Sequence, residues 1–319
     1  MRRIFEYEPG DPLPEIRGAV ATIGVFDGVH LGHRAILDRT ISWARMENLP
    51  SALITFSVHP DLVVRGRAPA LLLSLDHRLR EIERAGIDHA IILHFDARLR
   101  EMSAEEFVAT ILVRSLSIRG LVLGHDTAVG RDRRGDSKLL SRVGAEHGFQ
   151  VQVVGEIAVD GQVVSSTRIR EALQAGDLEE ASRMLGRPPS VFGRVVAGER
   201  RGRTLGFPTA NLDTQSECLP ALGVYAVIAA VEGAIFEGIC NIGRRPTFHQ
   251  GADVSTEVHL LDFYGDLYAK VIEVVFLARL RGEKAFPDKD SLVKQIHEDR
   301  AAALEIFRRY HGAGRKPRG

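Results

Sequence analysis

The feature that most restricts the fold is a change of texture part-way along the chain. Up to about residue 154, short apolar runs rich in branched residues alternate with helical stretches: a run at 19–25, a helix over about 32–46, runs at 52–56 and 90–95, helical sequence at 104–113, then runs at 120–123 and 151–154. Near-continuous apolar strands separated by helices leave no face for water, so they predict a parallel sheet covered on both sides, a doubly wound α/β domain. Two short helices follow, at 168–175 and Leu178–Leu185, the second opened by Asp177 with Glu180 at capping-box spacing and closed by Gly186. Arg187-Pro188-Pro189 then forbids helix and marks a seam.

Beyond the seam the segments are β-rich and joined by glycine turns: 191–196, 224–231, 234–242, 257–261 and 269–276. Helix of any length returns only over about 291–310, with Leu292, Ile296, Ala303 and Phe307 on one face. The second half is therefore expected to be a small antiparallel barrel or sandwich with a core-facing terminal helix. The expected organisation is 1–186, 187–312 and a basic tail at 313–319. A length of 319 residues suits two separate cores.

Lys+Arg and Asp+Glu are equal at 42 each, and a zero charge sum disfavours a long nucleic acid as partner while leaving room for local basic clusters. The cysteines, Cys218 and Cys240, form no disulfide framework or zinc pattern and are given packing roles, as is Trp43. Met1-Arg2-Arg3 runs into charge before a signal core could form, and no apolar run reaches membrane-spanning length. The expectation is a cytoplasmic protein without a membrane partner; oligomeric state is left open.

Gly24-Val25-Phe26-Asp27-Gly28-Val29-His30-Leu31-Gly32-His33 follows the first strand and opens a helix. In an open α/β sheet ligands bind past the carboxyl ends of strands. A helix start offers unpaired N–H groups and a positive dipole end, and two imidazoles three residues apart face nearly the same side, which suits a polyphosphate. A tight turn with two exposed histidines and a two-histidine metal site are the rivals. Downstream, Ser165-Ser166-Thr167-Arg168-Ile169-Arg170 puts hydroxyls at a helix start and a guanidinium one turn on. Isolated hydroxyls merely cap a helix, but with Arg170 at that spacing they make a phosphate clamp.

Asp27 to His33 resembles the H-x-G-H signature of nucleotidyltransferases, and Ser165 to Arg170 resembles their S-S-T-x-x-R signature. With the motifs below, the chain resembles the bacterial bifunctional riboflavin kinase/FAD synthetase family over nearly its whole length. The resemblance implies a Rossmann-like nucleotidyltransferase domain that binds ATP, where the FMN phosphate attacks the α-phosphorus and expels pyrophosphate. His30, His33 and Arg170 would stabilise charge, Ser166 and Thr167 would hold phosphates, magnesium would bridge them, and Gly24, Phe26, Asp27, Gly28 and Gly32 would shape the nucleotide site. Two departures stand out: Ser57-Val58-His59-Pro60 where the family has an aspartate and a proline before its histidine-proline pair, and Gly124-His125-Asp126-Thr127-Ala128-Val129-Gly130 where it has aromatics. An alternative is thus a riboflavin kinase whose N-terminal domain binds nucleotide without adenylylating FMN; a flavin-sensing regulator is a more distant one.

In the second half, the segment from Gly193 to Leu212 contains a basic, glycine-spaced loop with Gly202, Arg203 and Thr204, which lacks the Walker order but can wrap phosphates with backbone amides. Alone it reads as a solvated turn with arginines. Pro208-Thr209-Ala210-Asn211 resembles the P-T-A-N signature of riboflavin kinases. Residues two apart in extended chain share a face, so Thr209 and Asn211 can offer hard oxygens to magnesium. Asn241 to Phe248 and Ser255 to Phe263 match the same module. By the resemblance Glu257 is the general base that takes the riboflavin 5′-hydroxyl proton as that oxygen attacks the γ-phosphorus of ATP.

Overall fold

The computed structural model describes residues 1–4, 11, 13, 16–198, 206–214, 218–244 and 254–312. They form two compact units, Met1–Ala70 with Leu75–Ser165, and Leu71–Ser74 with Ser166–Gly319. The expected tail at 313–319 lies outside the described residues.

The first unit runs β1 (Arg2–Ile4), β2 (Val20–Ile23), α1 (Leu31–Met46), β3 (Ser51–Phe56), α2 (Pro60–Arg65), α3 (Leu75–Ala85), β4 (His89–Leu93), α4 (Ala97–Glu101) and α5 (Ala104–Phe107). After α5 the chain continues as a π-helix over Val108–Ser115, then β5 (Gly120–Gly124), α6 (Ser137–His147), β6 (Gln150–Val154) and the small hairpin β7 (Ala158–Val159) and β8 (Gln162–Val163). The sheet order is β1-β4-β3-β2-β5-β6, with every pair parallel. All four residues of β2 are buried, which is why its sequence does not alternate. Ala21, Ile23, Ile54, Leu121 and Leu123 pack with Phe107, Ile111 and Leu112, and burying each large aliphatic contributes about 1.5–3 kcal/mol.

From β2 the chain builds β3 and β4 on one side and returns to build β5 and β6 on the other. Strand order therefore reverses between β2 and β5, which opens a crevice beyond their carboxyl ends. The loops leaving those strands are the ones that carry His30 and Asp126.

The second unit holds α7 (Ser166–Ala175), α8 (Leu178–Leu185), β9 (Ser190–Val196), β10 (Ala210–Thr214), β11 (Gly223–Val231), β12 (Ala234–Arg244), β13 (Val254–Leu260), β14 (Val271–Arg281) and α9 (Lys289–Gly312). The strands close into a barrel, β10-β13-β12-β11-β14-β9, with β9 returning to β10 and every pair antiparallel. The proline pair at 188–189 leads straight into β9, whereas the compact units divide ahead of α7. The reason is packing: α8 buries Leu178, Ala181, Met184 and Leu185 and lies against β14.

Helix α9 covers the outer face of β11, β12 and β14, with Ala303 and Phe307 packed on Ala226 and Ile228. Its stripe has a polar member that hydrophobic periodicity alone misses. Asp299, buried between Leu292/Ile296 and Ala303, accepts from Arg281 Nη2 at 2.9 Å and Nε at 3.0 Å, and from Gln295 at 3.1 Å. This forked pair clamps α9 to the end of β14. Asp299→Ala strands Arg281 and should destabilise the second unit by about 1–3 kcal/mol, read as a lower urea midpoint of tryptophan-independent far-UV signal.

Candidate active sites

The turn between β2 and α1 is crowded and strained. Phe26 and Val29 both have positive φ, 54° and 42°, and both are buried; a branched residue in that region costs of the order of 1–3 kcal/mol and persists only where its surroundings enforce it. Gly24 and Gly32 lie directly against the rings of Phe26 and His30, and a methyl group at either would press on the ring at about 3.0 to 3.1 Å. Asp27, Gly28 and His30 are buried, while His33 is half-buried.

His30 is the N-cap of α1, its Nδ1 accepting the His33 N–H at 3.3 Å. A neutral ring that accepts through Nδ1 carries its proton on Nε2, so His30 presents a donor at its far nitrogen. The His30 and His33 rings stack at 3.6 Å and 15°, and Phe26 closes on His33 at 5.1 Å. The two imidazoles expected to act together are thus side by side at a helix start. The loop after β5 is held differently: the Thr127 hydroxyl accepts from Gly124 N–H at 3.1 Å, closing the turn where aromatics were expected by the resemblance. Aromatic rings do occur at neighbouring strand ends, where Phe56 and Phe95 meet edge to face at 5.5 Å.

In the second unit, α7 starts at Ser166, two residues earlier than its apolar pattern suggested, so Ser166 and Thr167 fall in its first turn. Thr167 is exposed, Ser166 and Arg170 are half-buried, and the helix is anchored by Ile169, Ala172 and Leu173. Arg168, between the motif residues, is engaged by Glu180 of α8 at 2.6 Å.

The barrel's β13 pairs with β10 on one side and β12 on the other, and the register sets Glu257 opposite both Asn211 and Asn241. Cross-strand partners share a face, so the three side chains form one row. Alternation sends their neighbours Cys240, Ile242, Thr256 and Val258 to the interior, all almost wholly buried. Burial raises the Cys240 thiol far above its ordinary range, which keeps it protonated and inert. Ile239, two residues before Asn241, packs with the apolar set beneath α9, so the row lies on the barrel's outer face.

Thr209 joins the row from the approach to β10, its hydroxyl donating to Glu257 Oε2 at 3.3 Å. Asn241 was quoted only as part of a motif; the pairing register is what gives it a place beside Glu257. His259, further along the same face, bonds the Pro208 carbonyl through Nδ1 at 2.8 Å and meets Phe207, which in turn meets His297 of α9 at 5.3 Å. A cavity of about 610 Å³ opens beside Thr209 and Asn211, walled by Val195, Val258, Leu260, Phe263 and Leu267. Gly202, Arg203 and Thr204, with 245–248, lie outside the described residues.

Residues 13–168 match the FAD synthetase family model and residues 185–307 match the riboflavin kinase model. A bifunctional riboflavin kinase/FMN adenylyltransferase from Pseudomonas fluorescens is 43% identical over 92% of this chain and 94% of its own length. The chain belongs to that family. The enzyme of the same name from Escherichia coli K12 is 39% identical over 91% of this chain and 93% of its own. A solved structure from Streptococcus pneumoniae, described as a macrolide-efflux protein, superposes with a TM-score of 0.84 at 29% identity, over 95% of this chain and 99% of that one.

Both modules are present in one chain, and this enzyme phosphorylates riboflavin to FMN with ATP and adenylylates FMN to FAD with release of pyrophosphate. The two domain matches, with the bifunctional relatives covered over 93–94% of their length, support this reading over that of a kinase with a merely nucleotide-binding first half. Among the described residues no helix is long and apolar enough to cross a membrane.

A side chain at position 198 would run into the Asn211 amide. Gly198→Ala should therefore lower riboflavin phosphorylation at least about tenfold by displacing Asn211, with FMN adenylylation in the same preparation unchanged.

Proposed function

We propose that each reaction uses the residues singled out above, on a frame that needs no protein nucleophile. In adenylylation the FMN phosphate is already anionic; its oxygen bonds the α-phosphorus of ATP as the bond to the β-phosphate breaks and pyrophosphate leaves. His30 and His33 meet the growing charge on the leaving group, with His30 donating from Nε2 because its Nδ1 is committed to the helix start. Gly24, Phe26, Asp27, Gly28 and Gly32 hold the turn in its strained form. Ser166, Thr167 and Arg170 act on phosphate oxygens, a role supported by the start of α7 at Ser166.

In phosphorylation Glu257 accepts the 5′-hydroxyl proton of riboflavin as that oxygen attacks the γ-phosphorus, and ADP leaves. The single observation that carries this assignment is the row Asn211–Glu257–Asn241, which stands Glu257 between two amide side chains on one face. The nucleotide enters the cavity beside Thr209 and Asn211, whose apolar wall suits a base and whose size lies within the range for small ligands. Gly202, Arg203 and Thr204 belong to the phosphate-wrapping loop of the same half.

The donor set also fits magnesium. Thr209 Oγ1 and the Asn211 amide oxygen are hard oxygens beside Glu257, and the bare Gly198 leaves the space at Asn211 that a Cβ would fill. When bound, the ion neutralises charge on the transferring phosphates. Thr209 and Asn211 would hold it there. We place the enzyme in the cytoplasm, a reading supported by the two buried cysteine thiols, Cys218 and Cys240.

Paired variants test the division of labour. Glu257→Gln should cut FMN formation by about 100-fold or more while FMN is still converted to FAD, and unaffected FMN formation contradicts the general-base role. His30→Ala should do the reverse, slowing FAD formation by about 100-fold with riboflavin phosphorylation intact.

A further inference from the structure

Arg78 is only 2% exposed, and neither reaction above gives it a task. It sits in the first turn of α3, where a cation opposes the helix dipole. Burial pulls the guanidinium down to about 10 against the attraction of Asp27, so it still carries its charge at neutral pH. A buried charge in an unfavourable helical position persists only where partners hold it.

A hydrogen bond at the end of β3 and an opposite charge in the turn after β2 do so. Arg78 Nη2 donates to the Phe56 carbonyl at 2.7 Å, at the last residue of β3. Asp27, 4% exposed, stands in the turn that leaves β2, three residues before His30. Phe56 is also followed at once by Ser57-Val58-His59-Pro60, and His59 there caps α2 by accepting the Asp61 N–H at 3.1 Å. One guanidinium thus bonds the end of β3 while its charge attracts Asp27, and β3 is itself tied to the turn after β2, where the Gly24 N–H donates to the Ile54 carbonyl at 3.1 Å.

We propose that Arg78 is a positioning residue for FMN adenylylation: through Asp27 and the Phe56 carbonyl its buried guanidinium locks the ends of β2 and β3, and so fixes the strained turn from which His30 and His33 project. A planar cation with several donors can bridge a carboxylate and a carbonyl that belong to different strands, which no apolar side chain of that length can do. The turn needs such a lock because Phe26 and Val29 hold positive φ against their own preference. Released, it would relax and carry the imidazoles away from the geometry that meets the leaving charge, while substrate contacts made elsewhere remain. The expected signature is therefore a loss of kcat with little change in KM.

The test uses the full chain, whose second activity reports on folding. Arg78→Met should lower kcat for FAD formation about ten- to hundredfold, keep KM for ATP within about threefold, and leave riboflavin phosphorylation unchanged. Arg78→Lys should recover a large part of the loss, because it restores a donor and a charge near Asp27. In an Asp27→Asn background the Arg78→Met change should cost much less than it does alone, since the lock is already broken. Unchanged FAD formation in Arg78→Met overturns the proposal, as does parallel loss of both activities or a Lys variant no better than Met. The proposal rests on the histidine-loop reading, and His30→Ala separates the two. Full activity in His30→Ala removes the loop assignment itself, whereas an inactive His30→Ala beside a fully active Arg78→Met removes only the role of Arg78.

Discussion

The kinase half depends on the way β13 is held. Because it pairs with β10 and β12 at once inside a closed barrel, the Glu257 backbone cannot shift along either neighbour without breaking ladder bonds on both sides. Register then sets the site: Asn211 and Asn241 stand opposite Glu257, Thr209 donates to its carboxylate, and a one-residue slip of β13 would turn Glu257 into the barrel interior. The inner face makes that slip costly, since Val258 would have to leave the core. Core packing and the placement of Glu257 are thus one constraint.

The first unit reaches the same end by other means. Its central parallel strands, β2 to β5, are buried on both faces, so chemistry falls to their carboxyl ends, and the reversal of strand order between β2 and β5 leaves a crevice there. What the barrel achieves with ladder bonds, this site achieves with crowding and buried charge. Phe26 against His33, and His30 stacked on His33 and committed to the helix start, hold a turn whose backbone is unfavourable in isolation, with the buried charge of Arg78 attracting Asp27 beside it. Neither reaction asks the protein for a nucleophile, so rigidity of donors is the main thing each fold has to supply.

Much of this was legible in the residues. The buried parallel strands announced themselves because they are apolar without alternation, and the motifs at His30–His33, Ser166–Arg170 and Thr209–Asn211 stand where strands give way to helices or turns. Other elements left no periodic signal. β1 is three residues of an edge strand, two of them arginine, and finds its place only by pairing with β4. β10 is short and carries Asn211 and Asp213, so its strand character comes from its neighbours rather than its composition. Asp299 and Arg78 look like solvated residues of amphipathic helices, and only tertiary partners show them to be buried. Asn241 was visible as a motif letter, but its proximity to Glu257 is a fact of register between strands.

One polypeptide therefore carries two phosphate chemistries in which the product of the barrel is the substrate of the parallel-sheet unit. The most direct test is a time course of the intact protein with riboflavin, ATP and magnesium, resolved by chromatography. FMN should appear first and be converted to FAD, with pyrophosphate released in step with FAD. FMN that accumulates without FAD, under conditions where a relative from the same family makes it, would contradict the account.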